Sequence, residues 1–293
     1  MSRLLIIDGH AYAYRAFHAI RNLRSPSGRP TNAIYGFIKM LEKMRQSVPV
    51  EYLTVVWDGG LDAGRMMALP EYKAQRPETP EDLRPQFDEI RNYLAAAGLK
   101  DFCGDGIEAD DYIACLARQA VSAGWTVVIA SADKDFMQLV SDRIGLLNPN
   151  DKTGQIWGRE QVLAKSGVEP EQIVDWLALM GDAVDNIPGV PGVGPKTAAS
   201  LLQQFGTVEN LMVRLDEVKS DKTRVALANA VDAVRRNLEL VRLREVPCQF
   251  QPENLAVQAA DREKLRELFR HWGFKGMLAE LDAEASGRQA ELI

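Results

Sequence analysis

Short apolar runs punctuate the first half of the chain, and three of them end on an aspartate. They are Leu4-Leu5-Ile6-Ile7-Asp8, Leu53-Thr54-Val55-Val56-Trp57-Asp58 and Val127-Val128-Ile129-Ala130-Ser131-Ala132-Asp133. Runs of this length, rich in aliphatic and β-branched residues, read as buried strands of a parallel sheet. Helical periodicity predicts helices over about 33–46, 86–97 and 108–123, the last stopping at Gly124. A further short strand is expected at Ile144-Gly145-Leu146-Leu147. This βαβ succession implies an α/β fold: a mostly parallel sheet flanked by helices. From Glu160 onward the periodicity is helical with almost no strand signal, so a boundary is expected near 150–170. The stretch from Ser286 to Ile293 reads as a frayed tail.

In parallel sheets, function gathers beyond the carboxyl ends of the strands. Three carboxylates delivered there repel one another unless a cation lies between them. More acids follow in groups: Glu108, Asp110 and Asp111 open a helix, Asp133-Lys134-Asp135 follows a strand, and Asp182 and Asp185 follow the helix Ile173 to Met180. Acids at a helix N-terminus also suit the macrodipole, and Asp135 could simply cap the helix at Phe136-Met137-Gln138-Leu139. Asp182 and Asp185 instead sit where the dipole disfavours them, at a helix C-terminus. Oxygen-only donors suit magnesium or manganese rather than zinc, and His10, His18 and His271 show no ligand spacing.

The 293 residues leave room for one large domain or two modest ones. No apolar run approaches bilayer-spanning length, and no signal-peptide pattern precedes the first strand. Cys103, Cys115 and Cys248 fit neither a zinc pattern nor an even disulfide set, which points to reduced thiols in a cytoplasmic protein. A net charge of −6 by itself argues against nucleic acid. Acids clustered around metal ions invert the local field, so the distribution of charge outweighs the total.

A second informative stretch is Gly189-Val190-Pro191-Gly192-Val193-Gly194-Pro195-Lys196-Thr197-Ala198. Its glycines permit a tight turn and close approach of backbone N–H groups to an anion. Pro195 suits the first position of a helix, leaving a free helix N-terminus beside Lys196 and Thr197 that favours phosphate. The spacing is not that of a nucleotide-binding P-loop. In Glu71-Tyr72-Lys73-Ala74-Gln75-Arg76-Pro77, two cations one helical turn apart lie beside an aromatic residue, a combination that can meet a backbone phosphate and stack on a base.

These motifs resemble, in order and over nearly the whole chain, the bacterial 5′-3′ exonuclease family, whose wider relatives are flap endonucleases. The matching segments are Ile6-Ile7-Asp8-Gly9, Arg15-Ala16-Phe17-His18, Trp57-Asp58, Tyr72 to Pro77, Glu108-Ala109-Asp110-Asp111, Ser131-Ala132-Asp133-Lys134-Asp135, and Met180 to Gly194. The resemblance implies a PIN-like domain over 1–165, with a helical arch at about 59–97, then a helical region over 166–293 with a helix-three-turn-helix segment at about 174–240. It implies two magnesium ions, replaceable by manganese, held by Asp8, Asp58, Glu108, Asp110, Asp111, Asp133, Asp135, Asp182 and Asp185. Lys73 and Arg76 would contact the scissile phosphate, Tyr72 would stack on a base, and Arg15 matches a phosphate contact. Gly189, Gly192, Val193, Gly194, Lys196 and Thr197 would bind the duplex backbone, with a potassium ion at the hairpin carbonyls. Three departures bear on arch geometry more than on chemistry: Ala63-Gly64 where an aromatic residue is common before Arg65, Pro70 before the basic group, and Val184 in place of a serine.

The expected function is metal-dependent hydrolysis of DNA from a 5′ end or at a 5′ flap, in repair or primer removal. A monomer is expected, standing alone without a polymerase domain and working beside a polymerase or ligase. The rival readings are a PIN-class ribonuclease, a non-catalytic structure-specific DNA-binding module, and an aspartyl-phosphate phosphatase. The phosphatase wants an acid two residues after Asp8, where the chain has His10.

Overall fold

The computed structural model describes residues 2–290. It opens with β1 (Arg3–Asp8), α1 (Gly9–Ala19), α2 (Asn32–Ser47), β2 (Tyr52–Trp57), α3 (Ala63–Ala68), α4 (Arg84–Ala96) and β3 (Lys100–Cys103). Then come α5 (Ala109–Ser122), β4 (Thr126–Ala130), a 3-10 helix (Lys134–Leu139), β5 (Ile144–Leu147), β6 (Ile156–Trp157), α6 (Arg159–Ser166) and α7 (Ile173–Met180). A minimal hairpin, β7 (Gly181–Asp182) and β8 (Ile187–Pro188), precedes α8 (Pro195–Phe205), α9 (Val208–Val213), α10 (Asp221–Asn229) and α11 (Val231–Val241). The last helices are α12 (Pro252–Leu255), α13 (Arg262–Trp272) and α14 (Lys275–Ala290).

The chain forms two compact units that interleave along the sequence. The first holds residues 2–57, 78–103 and the stretch from Gln251 onward; the second holds Asp58–Pro77 and Gly104–Phe250. Contacts therefore group the chain differently from the change in periodicity near residue 165.

In the first unit β1 pairs in parallel with β2, Leu5 opposite Leu53, and β2 pairs in parallel with β3. Leu4, Leu5, Ile6 and Ile7 are fully buried, which requires apolar cover on both faces of the strand. The unit's helices carry matching apolar stripes, as in α2 with Ile34, Phe37, Ile38 and Leu41. In the second unit β4 and β5 are parallel and β6 is an antiparallel edge. The mostly parallel, helix-flanked sheet architecture expected from the sequence is present, and among the described residues after α6 the regular elements are helices and the β7–β8 hairpin. The three cysteines are free thiols, and no helix among the described residues is long and apolar enough to cross a membrane. The predicted tail belongs to α14 as far as Ala290, and its remaining residues lie outside those described.

Candidate metal centre and its flanking hairpin

Eight of the nine expected carboxylates belong to the second unit. Asp133 follows β4 and caps the 3-10 helix, its carboxylate accepting the Asp135 N–H at 2.9 Å. Asp133, rather than Asp135, is therefore the cap, and Asp135 is left in the first turn facing its neighbours. Glu108 takes the N-cap position of α5, with Asp110 and Asp111 in the first turn. Asp58 turns the chain after β2 by accepting the Gly60 N–H at 3.0 Å.

Asp182 and Asp185 reach this region because α7 ends abruptly. Gly181 adopts φ 76°, a left-handed angle that favours glycine, and a Cβ there would lie 2.3 Å from the Gly189 nitrogen. The two backbones touch where the β7–β8 hairpin closes, and the hairpin folds both aspartates back. One carboxylate oxygen from each of Asp135, Asp182 and Asp185 lies within 4.8 Å of the other two. Oδ1 of Asp135 is buried with no hydrogen-bond partner. A buried, unpartnered acceptor among carboxylates is what a hard cation would satisfy. Burial, together with Asp133 and Asp182, holds the Asp135 carboxyl well above the usual aspartate range; burial likewise raises Asp133.

A layer of cations from the chain surrounds these acids. Arg65 is 2% exposed, and its guanidinium meets Asp111 at 2.6 and 2.9 Å and Glu108 at 3.0 Å. It also donates to the carbonyls of Leu240 and Arg242. With the Arg244 N–H at 2.8 Å, both oxygens of Asp111 are engaged, so this carboxylate anchors Arg65. Lys73 donates to Glu108 at 2.6 Å, Arg76 to Asp185 at 2.6 Å, and Lys134 to Asp182 at 2.8 Å. Burial disfavours the Lys73 charge, but Asp185, Glu108 and Asp110 outweigh it and raise its pKa. Burial likewise disfavours the Glu108 carboxylate, yet Lys73 and Arg65 hold its pKa below the usual range.

The expected arch segment is short where it bears on this site. After α3, residues 69–76 make successive i→i+3 turns rather than a helix, with Lys73 itself at φ 56°. A left-handed lysine is strained and persists only where its surroundings fix it, here by the ion pair and by its N–H donating to the Asp185 carbonyl. Tyr72 is 3% exposed, and its hydroxyl donates to Glu108 at 3.1 Å. Its ring lies under the Lys73 ammonium and has no open face for a base. Arg76 remains open to solvent.

The glycine stretch leads from the hairpin into α8. Gly194 is the N-cap and Pro195 the first helical residue, as expected. Gly192 (φ 81°) and Gly194 have open space beside them, Lys196 is exposed and Val193 is buried. Of the remaining expected residues, Asp8 ends β1 in the first unit and caps α1, accepting the Ala11 N–H at 3.0 Å, and Arg15 is exposed on α1. Neither Arg65 nor Lys134 is assigned a role by the sequence motifs. The lysine between Asp133 and Asp135 was a readable signal; nothing local marked Arg65.

The 5′-3′ exonuclease N-terminal resolvase-like domain matches residues 3–167, and the 5′-3′ exonuclease C-terminal SAM fold matches residues 168–263. A 5′-3′ exonuclease of Aquifex aeolicus is 38% identical over 284 residues, 96% of each chain. DNA polymerase I of Bacillus caldotenax is 38% identical over 99% of this chain, which spans 33% of the polymerase. Among solved structures, the T5 5′-exonuclease with bound zinc is 25% identical at a TM-score of 0.68, covering 92% of this chain and 99% of that one. The catalytic core of Rad2 in complex with DNA shares the fold alone, at 17% identity, a TM-score of 0.66, and coverage of 96% of this chain and 93% of that one. Fold and site thus define a carboxylate-centred α/β nuclease with a helical C-terminal region. The chain belongs to the 5′-3′ exonuclease family.

Proposed function

We propose that the chain hydrolyses DNA phosphodiesters from a 5′ end or at a 5′ flap with two magnesium ions, and that manganese substitutes. The observation that carries this is the group of Asp135, Asp182 and Asp185, with its buried unpartnered oxygen. Asp58, Glu108, Asp110, Asp111 and Asp133 complete the ligand field in the second unit, Asp111 acting through Arg65. Asp8 joins them on the strength of its sequence motif. When bound, such an ion pair lowers the pKa of a water and stabilises the leaving 3′ oxygen.

The chain's own residues do the rest. Arg76 meets the scissile phosphate from its solvent-open position, and Lys73 balances Glu108 and adds positive field. Tyr72 holds the Glu108 carboxylate in place. Gly189, Gly192, Gly194, Lys196 and Thr197 present backbone N–H groups and one ammonium to the duplex, while the buried Val193, whose N–H is taken by the Val190 carbonyl, shapes the turn between them; a potassium ion lies at the hairpin carbonyls, and Arg15 adds a phosphate contact. The setting is cytoplasmic repair or primer removal, by a monomer acting beside a polymerase or ligase.

A 5′-labelled DNA flap is cut with magnesium and left intact with chelator; cleavage indifferent to chelator overturns the reading. An RNA flap cut faster than the DNA flap favours a PIN-class ribonuclease. Lys196→Ala weakens duplex binding at all sequences and lowers the salt slope by about one. A slope unchanged in fluorescence titrations removes Lys196 from the interface.

A further inference from the structure

Asn237 on α11 is fully buried, and its side chain hydrogen-bonds to backbone carbonyls rather than to any carboxylate. Its amide nitrogen donates to the Ala178 carbonyl at 3.0 Å and to the Pro188 carbonyl at 2.8 Å. Ala178 lies in the last turn of α7, where carbonyls run out of intrahelical donors. The neighbouring carbonyls in that turn are satisfied by the chain that follows, Leu177 by the Gly181 N–H and Leu179 by the Val190 N–H. Pro188 closes β8. One amide group therefore grips both ends of the segment that carries Asp182 and Asp185.

The other half of the amide shows what the residue is kept for. Oδ1 of Asn237 is buried with no donor, which costs stability. The two carbonyls fix the orientation of the group, so the oxygen is accepted as the consequence of presenting two N–H donors. An apolar residue would fill the same volume but free both ends of the hairpin.

We propose that Asn237 is a positioning residue for the metal centre: it sets the distance between the α7 terminus and β8, and hence the convergence of Asp182 and Asp185 on Asp135. This rests on the reading of that group as metal-holding. The test is magnesium titration by calorimetry, with melting curves, for the wild type, Asn237→Leu, Asn237→Ser and Val234→Ala. Val234 is buried one turn earlier on α11 and is the control for general loosening. Losing a residue that only supports a ligand weakens metal affinity about 10-fold or more. Asn237→Leu, or Asn237→Ser if the leucine variant does not fold, shows that loss, whereas Val234→Ala lowers the melting temperature and keeps wild-type affinity. Unchanged affinity in the Asn237 variants, or an equal loss in Val234→Ala, overturns the proposal. A wild type that binds no magnesium overturns the metal reading itself, and this inference with it.

Discussion

Asp135→Asn abolishes magnesium-dependent cleavage and at the same time makes the metal-free protein harder to melt. Activity falls by more than about 100-fold, beyond the usual effect of losing a group that merely supports a ligand. The stability gain follows from the raised pKa. Burial, Asp133 and Asp182 hold the folded-state carboxyl above its unfolded value, so folding takes up a proton. That contribution is fully present below the unfolded value and is lost as pH rises from the ordinary aspartate range through the raised one. Above that window the wild type must keep a buried carboxylate among other carboxylates, and the amide does not. Magnesium reverses the order by stabilising the wild type in proportion to the logarithm of its concentration. Cleavage of a 5′-labelled flap checks the activity, and melting curves at pH 5 and pH 8, with and without magnesium, check the two stability effects. A variant less stable than the wild type at pH 8 without metal contradicts the electrostatic account.

Arg65→Met has the largest expected effect on stability. It leaves Glu108 and Asp111 buried with reduced compensation, and two carbonyls lose a donor. Breaking a buried ion pair from one side destabilises by about 3–5 kcal/mol. For a chain of this size that lowers the melting temperature by roughly 10 °C. The Glu108 share of the penalty shrinks as pH falls below the usual carboxylate range, because Lys73 and Arg65 hold its pKa low in the wild type and a protonated Glu108 needs no cation. Arg65→Lys recovers only part of the loss, since an ammonium cannot reproduce the fork that meets both oxygens of Asp111. Equal melting temperatures for wild type and Arg65→Met would show that the pair is dispensable.

The difference between these two residues marks how far the sequence can be read. Asp135 was legible because a strand, a turn and an acid lie within nine residues, and hydrophobic periodicity is a local signal. Arg65 was not, because its partners come from α5, 43 residues on, and from the end of α11, 175 residues on. The helix α1 leaves little sequence signal because Gly9 and His10 are weak helix formers and its N-cap, Asp8, also ends a strand. Strand β3 (Lys100–Cys103) is short, polar and only partly buried, so it carries no apolar pattern. Tyr72 and Lys73 read as a solvated, helical, base-stacking pair. Burial against Glu108 made them part of the interior.

Local patterns carry the α/β class, the strands that deliver aspartates, the helical second half, the glycine stretch opening α8 and the family. All of these rest on periodicity, turn chemistry and short motifs, which act over a few residues. How the charges are shared depends on the folded chain. Asp135, Asp182 and Asp185 converge, Asp111 is given to Arg65, Lys73 is internal and Arg76 is open. Those assignments depend on burial and on distances of a few ångströms between segments far apart in the chain, where Coulomb energies change steeply and no local pattern records the outcome.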